Sequence, residues 1–382
     1  MNDEQHDDWD PQHASTLEDQ RRAYDEMRER CPVAHSEFMG WSVFRHEDVA
    51  TVLADPETYS NVSRFLAIPN GMDPPGHDRY RKALAPNYDP EQMSRIEPSA
   101  REIAANLLAP VLAGESKEME FINGFAMPFA LKTLCALLGW PEKQWECLGG
   151  WTHDSQQAAF SREPGVGKAL ASLFSGHVKA NLEMHRASSN GVSDATDALL
   201  RTEVDGVRLD DDQIVSVLRN WTAGHGTVVA GLSILVLHLA KSPELQEKLR
   251  SDPSRIPAAI EEILRVDGPL VANPRTTTRE VEIGHRTIPK GEKLALMWIA
   301  ANRDPRAFDG PDAVKLERDN EASMVWGQGI HFCQGAPLAR LEMRVALEEL
   351  LARTKHFELT DATPHRAVYP SNGLAALSLR IS

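Results

Sequence analysis

Cysteine is scarce in this chain. Its 382 residues include four, Cys31, Cys135, Cys147 and Cys333, and no two form a C-x-x-C pair. That spacing excludes a zinc ribbon and the close cysteine set of a plant-type iron–sulfur centre. A chain of this length buries a large core without disulfide staples. Positive charge is also short. Lys plus Arg is 41 against 56 for Asp plus Glu, a net charge of −15, which argues against nucleic acid or an anionic membrane surface as partner. No apolar leader opens the sequence: residues 1–11 are polar and acidic. A cytoplasmic, reducing setting is therefore expected. Internal repeats and low-complexity linkers are lacking as well.

The composition that remains is ordinary for a globular protein, with 42% hydrophobic and 25% charged residues. One stretch stands out. Residues 221–240 contain no Asp, Glu, Lys or Arg, a run about long enough to cross a bilayer. It also contains Thr222, His225, Thr227, Ser233, His238 and three glycines, and Asp210, Asp211 and Asp212 lead into it as acidic residues lead into a helix. The pattern predicts one helix over 210–241, roughly 45 Å long, as the buried rod of a large helical domain rather than a membrane span. Helical patterning or start signals also cover 17–30, 98–113, 125–138, 165–187, 243–250, 253–265 and 337–353. Strand signals are few: 40–45, 280–283, 286–288 and 293–299, with turns at Gly284 and Pro289-Lys290-Gly291. The expected fold is mainly α with small β-sheets at one side. It forms a single domain over 16–382, behind a flexible acidic N-terminus over 1–15.

The chemistry centres on Cys333, in Trp326-Gly327-Gln328-Gly329-Ile330-His331-Phe332-Cys333-Gln334-Gly335. A cysteine just before a helix start receives backbone N–H groups and the positive end of the helix dipole, and both favour the thiolate. The glycines permit a tight turn and close approach of backbone to a flat ligand. A thiolate held this way suits an axial position on haem iron. The alternative, a buried cysteine beside a turn, is the common fate of a lone Cys. From the residue frequencies, three Gly, one His and one Cys in this pattern arise by chance on the order of 10⁻⁵ times in such a chain, which favours the functional reading.

The segment resembles the haem-binding loop of the cytochrome P450 superfamily, Phe-Gly-x-Gly-x-His/Arg-x-Cys-x-Gly, with Trp326 in place of Phe. The indole there can shield the thiolate, and its N–H can donate a hydrogen bond. Further motifs follow the family's order along nearly the whole chain. Glu262 and Arg265 form Glu-x-x-Arg, at a spacing that puts both on one helix face; in the family this pair locks to a third residue, matched here by Arg318. The stretch Asp73-Pro74-Pro75-Gly76-His77-Asp78-Arg79-Tyr80-Arg81 resembles the family's segment carrying two haem-propionate ligands, matched by His77 and Arg81; Arg275 and His331 match the others. The resemblance implies haem b (iron protoporphyrin IX) as cofactor. Cys333 would be its metal ligand, with Trp326, Gly327, Gly335 and Ala223 around it.

The family's oxygen-side pattern, Ala/Gly-Gly-x-Asp/Glu-Thr, falls on Ala223-Gly224-His225-Gly226-Thr227. Thr227 is present, but Gly226 stands where the acid belongs, so a proton must come by water, His225 or another residue. Two glycines inside a helix cost about 1 kcal/mol each relative to alanine, and a widened turn with room for O₂ is the functional reason expected for Gly224 and Gly226. The run Arg219-Asn220-Trp221-Thr222 before it is similar to that of self-sufficient fused bacterial members, yet no flavin or iron–sulfur module follows before Ser382. The resemblance implies a monooxygenase that hydroxylates or O-dealkylates a small hydrophobic or aromatic substrate. Its electrons would come from a ferredoxin- or flavodoxin-type donor with its reductase, docking near Arg79, Lys82, Arg340 and Arg344. A peroxide-driven peroxygenase and a haem-based sensor are the alternatives. Substrate-contacting candidates are Phe65, Leu66, Ile68, Arg219, Thr222, Leu270, Val271, Ala272 and Leu374, around a short loop over 61–72 read as an open or mobile lid. Arg219 is expected to pair with a protein carboxylate or with a polar or anionic part of the substrate.

Overall fold

The computed structural model describes residues 8–161, 163, 165–188, 194–367 and 369–382. Its principal helices in chain order are α1 (Gln20–Arg30), α2 (Gly76–Leu84), α3 (Pro90–Ala113), α4 (Met127–Leu138), α5 (Trp145–Ser161), α6 (Val166–Ser188), α7 (Asp211–Ala240), α8 (Ile256–Val266) and α9 (Ala336–Arg353). The apolar run becomes α7. Asp210 caps it in a reciprocal box: its carboxylate accepts the Gln213 N–H at 2.8 Å, and the Gln213 side chain accepts the Asp210 N–H at 2.9 Å. Helices α4, α6, α8 and α9 pack around this rod. Among the described residues it is the one helix long and apolar enough to cross a membrane, but 78% of its most apolar window is buried inside the protein, so core packing accounts for the apolar run.

Several boundaries differ from expectation for identifiable reasons. The helix expected over 17–30 breaks at Asp19, whose side chain accepts the Arg22 N–H at 3.1 Å and starts α1 afresh. Helix α3 starts eight residues before Pro98, at Pro90 behind the Asp89 cap, and burial of Met93 and Ile96 carries it through the internal proline. The strand expected over 293–299 stops at Met297, where Trp298–Ala301 turns helical. Helix α5 carries Gly149, whose Cα sits close enough to Leu131 that an added Cβ would lie 3.3 Å from Leu131 Cδ1.

A five-stranded sheet flanks the helices. Its strands are β1 (Val33–Ser36), β2 (Gly40–Val43), β3 (Tyr59–Ser60), β4 (Ala272–Thr277) and β5 (Lys293–Met297), in the order β1-β2-β5-β4-β3. The β2–β5 pair is parallel and the others antiparallel. Gly40 (φ +73°) is required at the hairpin, because a Cβ there would sit 2.8 Å from the Lys293 carbonyl oxygen. Smaller sheets follow, including Phe357–Leu359 with Ser378–Ile381 and Glu118–Glu120. The acidic segment expected to stay loose as far as Ser15 is fixed from Asp8 onward. Asp8 and His35 exchange hydrogen bonds of 3.0 and 2.8 Å, Arg286 pairs with Asp8 at 2.5 Å, and Trp9 packs on Tyr24 and Phe44. Residues 1–7 lie outside the described residues.

Candidate functional site

The Cys333 loop is shaped by two left-handed glycines. Gly327 has φ +70° and Gly329 φ +68°, and a Cβ on Gly329 would lie 2.8 Å from the Leu53 carbonyl oxygen. Gly335 has no such constraint: its nearest neighbour would be Tyr88, at 3.9 Å. The Cys333 N–H donates to the Trp326 carbonyl at 2.8 Å, and α9 begins three residues later. Cys333 is exposed at its surface yet ringed by protein atoms. Burial pushes its thiol pKa up, outweighing the Gly335 and Ala336 N–H groups and the Arg81 and Arg340 charges. The N–H groups at the helix start favour the thiolate, as expected, but act against burial; a bound cation would add to their pull. Trp326 does not turn its N–H to the sulfur either. Its Nε1 donates to Glu261 at 2.8 Å, Arg340 donates to the same carboxylate at 2.7 Å, and the Arg340 guanidinium lies 4.7 Å above the indole.

Beside this loop, His77, Arg81, Arg275 and His331 come together as expected. The rings of His77 and His331 are 4.4 Å apart, and both Nε2 atoms are buried without a hydrogen-bond partner. His77 Nδ1 sits 2.8 Å from Asp78. Burial pulls the His331 pKa down to about 3, helped by His77 and Arg275. Burial also lowers Arg275 to about 10, against the pull of Asp73. Its guanidinium donates to Asn61 and to the Pro274 carbonyl at 3.0 and 2.7 Å, while Arg81 donates to the Phe332 carbonyl at 2.5 Å. Buried polar nitrogens without partners are costly. Two of them beside two guanidinium groups fit a flat ligand carrying two carboxylates, and with the Cys333 sulfur near Arg81 the residues present would suit a haem.

The oxygen-side pattern falls in the middle of α7. The helix is unbroken from Asp211 to Ala240, so the widened turn expected at Gly224 and Gly226 is not present. Ala223 and Gly224 are exposed and Thr227 half-buried, whereas Thr222, His225 and Gly226 are buried. Thr133, Thr152, Thr222 and Thr354 each spend the hydroxyl on the carbonyl four residues back, at 2.7–2.9 Å. Thr227 makes no such bond and keeps its hydroxyl for another partner. Gly226 has a packing reason: a Cβ there would meet Thr152 Cγ2 at 2.9 Å and Gln156 Nε2 at 3.1 Å. Helix α5 occupies the space into which the missing acid would project.

Arg219 departs from expectation in its partner. It meets no carboxylate among the described residues. It donates to the Leu66 carbonyl, and its guanidinium lies 5.1 Å from the centre of the Phe65 ring. Burial lowers its pKa, and no opposing charge restores it. The loop over 61–72 is thereby latched to α7. Ser216 Oγ accepts the Ile68 N–H at 2.8 Å and donates to Leu66 at 3.0 Å, and Asn220 donates to the Ile68 carbonyl at 2.8 Å. Of the remaining substrate candidates, Phe65 and Leu66 are exposed and Leu270 half-buried. Ile68, Leu374, Val271 and Ala272 are packed in the core clusters, and Thr222 is 1% exposed; these five form no open wall.

The structural lock forms as expected. Glu262 and Arg265, both without exposed surface, pair bidentately at 2.8 and 3.0 Å, and Arg318 reaches Glu262 at 2.8 Å. Three residues of consequence escaped the sequence reading: Glu261, Gln156 and Glu342. Each sits within an ordinary helical pattern, and no local signal separates a buried or paired Glu from a solvated one.

A family model for cytochrome P450 matches residues 165–378. The chain is 35% identical to erythromycin C-12 hydroxylase of Saccharopolyspora erythraea over 343 residues, 86% of this chain and 85% of that one. It is 32% identical to the cyclomarin C epoxidase CymV of Salinispora arenicola, covering 94% of each. The solved structure of a mutant of P450 EryK in complex with erythromycin B aligns with a TM-score of 0.85 at 31% identity, over 95% of this chain and 96% of that one. Members of this family bind haem b through a cysteine thiolate, and bacterial members use ferredoxin–reductase partners on small organic substrates. The chain belongs to the cytochrome P450 family and is a monooxygenase of that family.

Proposed function

We propose that Cys333 is the thiolate ligand of the haem, that His77, Arg81, Arg275 and His331 hold its two carboxylates, and that the chain hydroxylates or O-dealkylates a small organic substrate. The observation that carries this reading is the pair of unpartnered, buried Nε2 atoms of His77 and His331 beside the Cys333 loop. Bound haem supplies the activation of O₂. The chain's own residues do the rest. Gly327 and Gly329 let the backbone approach the ligand closely. Ala223 and Gly224 line the open side, and the uncommitted Thr227 hydroxyl passes a proton to the oxygen. Arg219, a cation without a counter-ion beside Phe65, favours a substrate with a carboxylate or hydroxyl far from the oxidised carbon.

Electrons come, in this proposal, from a separate ferredoxin- or flavodoxin-type protein with its reductase, in the cytoplasm. The donor meets the outer side of the Cys333 loop, where Glu261, Trp326, Gln328, Phe332 and Arg340 line a recess. Three of the four basic candidates there are already paired: Arg79 with Asp205 at 2.5 Å, Arg340 with Glu261 at 2.7 Å and Arg344 with Glu97 at 2.7 Å. Lys82 has no ion pair among the described residues, so it carries the larger part of any salt-dependent docking.

The test is spectroscopic. The ferrous–CO complex should show the red-shifted Soret band of a thiolate haem. Cys333→Ala should lose it, and substitutions of Cys31, Cys135 or Cys147 should keep it. A Cys333→Ala protein that retains the band ends the assignment. Product formation with NAD(P)H and a ferredoxin system, exceeding that with peroxide, separates a monooxygenase from a peroxygenase. A ligand screen reading haem spin state then ranks carboxylate-bearing against neutral substrates.

A further inference from the structure

Helix α6 turns an unusual face outward. Leu173 leaves 71% of its surface exposed, and Met184, eleven residues on, leaves 52%. Eleven residues make about three turns, so both side chains stand on one side of the helix. The exposed residues between and beside them include Ala169, Gly176, Ala180 and Ala187, all small and uncharged. The opposite side of the helix packs inward through Phe174, Val178 and Leu182. An exposed apolar stripe of this length marks an interaction surface. Gly176 supports that reading. A Cβ there would meet nothing within 4 Å, so the chain's own packing does not ask for glycine. Glycine inside a helix nonetheless costs about 1 kcal/mol relative to alanine. What it offers here is close approach by something outside the chain.

Charge lies along one edge of the stripe, on Lys168, Lys179, Glu183 and Arg186. Lys179 is paired with Asp212 at 2.7 Å, and Arg186 with Asp211 and, at 2.8 Å, with Glu183. Lys168 has no ion pair among the described residues, and the Glu183 side chain keeps 73% of its surface exposed.

This pattern is complementary to itself. In an antiparallel pair of α6 helices about a two-fold axis near Gly176, residues equally far before and after it face each other, and like edges lie side by side. Lys168, eight residues before Gly176, then meets the partner's Glu183, seven after it, and the symmetry makes this pair twice. Met184 meets the partner's Ala169 in the same way. Leu173 falls over the partner's Gly176 and Ala180, where no large side chain blocks it. Lys179 and Arg186 fall opposite Ser172 and Val166, so no like charges are opposed. A parallel pair would instead set Lys168 against Lys168 and Glu183 against Glu183, which is unfavourable.

We propose that the exposed face of α6 is a self-association surface, on which a second copy of this chain docks with its own α6 antiparallel. The small residues let the two helix backbones come close, and the two Lys168–Glu183 contacts fix direction and register. A lipid surface is the poorer occupant. The stripe carries no aromatic anchor, and the net charge of −15 opposes anionic headgroups. One helix pair is small beside a standard interface of about 1,600 Å². The dimer is therefore weak, with a Kd on the order of 10 µM. This surface is independent of the monooxygenase reading.

The test is sedimentation equilibrium of the full, haem-loaded chain at physiological salt, from about 1 to 200 µM. The parent should pass from monomer to dimer over that range. Gly176→Gln has room in the monomer but fills the gap between the helices. It should stay monomeric, with a melting temperature no lower than the parent's and an unchanged CO band. Lys168→Glu and Glu183→Lys each set like charges together twice, and each should weaken association about tenfold or more. Combining them restores opposite charges and should return the Kd to within about threefold of the parent value. A parent that stays monomeric throughout overturns the proposal. So does a dimer that Gly176→Gln leaves intact, or a double variant as weak as the single ones. A monomeric parent that cosediments with phosphatidylcholine vesicles would give the stripe to a lipid surface and overturns it too.

Discussion

The lock at α8 and the middle of α7 handle buried charge in opposite ways. Around Arg265 every donor finds an acceptor: Glu262 takes two bonds, and the carbonyls of Asn302, Pro311 and Ala313 take the rest at 2.8–3.3 Å. Along α7 and where α9 packs on it, partners are missing. Among the described residues Arg219 has no carboxylate, Glu342 of α9 has no hydrogen bond, and the Thr227 hydroxyl is uncommitted. Both regions are helical, both are charged, and both carry family motifs. What separates them is satisfaction, and it sorts the residues into those that hold the fold and those kept for a ligand or a proton.

The largest way to break this comparison is at the lock. Glu262→Ala or Arg265→Ala strands a buried charge, at a cost of about 3–5 kcal/mol, a large share of a domain's stability. Little soluble, haem-loaded protein is expected, judged by yield and haem content. Normal yield of both variants would make the lock no different from a surface pair.

Acid and alkali should sharpen the contrast. Burial alone would raise Glu262, but Arg265, Arg318 and the Lys315 N–H hold it below its ordinary value; Asp267 is likewise lowered, against burial, by His238 and Arg366. Their stabilisation is present above the unfolded value, about 4, and is lost as pH falls through the folded values. His225 has the opposite sign. Its folded pKa is raised, so its contribution is present below about 6.5 and is lost as pH rises through the folded value. Melting temperature against pH should fall on both sides, with Glu262→Gln flattening the acid limb and His225→Gln the alkaline one. If either substitution flattened the other limb, the assignment of the two regions would be reversed.

Smaller effects probe α7 alone. Restoring the family's acid by Gly226→Asp should not restore a relay. It should overpack against Thr152 and Gln156 and cost about 1–3 kcal/mol, read as a lower melting temperature with peroxide release unimproved. Arg219→Leu should act on binding alone, on a similar scale. Binding of carboxylate-bearing ligands should weaken by roughly 1–3 kcal/mol, measured by spin-state titration, with neutral apolar ligands spared. Equal weakening of both would mean that Arg219 serves only to latch the loop over 61–72.

Much of this was legible in the chain itself. The charge-free run at 221–240 located α7, the glycine spacing around Cys333 located the loop, and residues as far apart as His77, Arg275 and His331 met where the family pattern put them. What could not be read was the identity of partners. Arg219 called for a counter-ion on physical grounds, and a backbone carbonyl answered. Gly226 looked like a missing acid, and its neighbours on α5 turned out to fill the space. Glu342 carries no mark at all, because burial is decided by α7 crossing α9. Local propensity sees neighbours in sequence, while these outcomes belong to neighbours 70 or more residues away.

Arg265 also bears on how the chain reaches this form. Residues 302–328 contain no helix or strand. Their course is pinned to α8 by bonds spanning 37 to 56 residues of sequence. Loops of that separation close late, after local helices have formed. The segment leading into the Cys333 loop should therefore be among the last parts to order as the chain folds. Its amide protons should gain protection from exchange only once α8 has docked, because one guanidinium group and one carboxylate of that helix hold it in the finished protein.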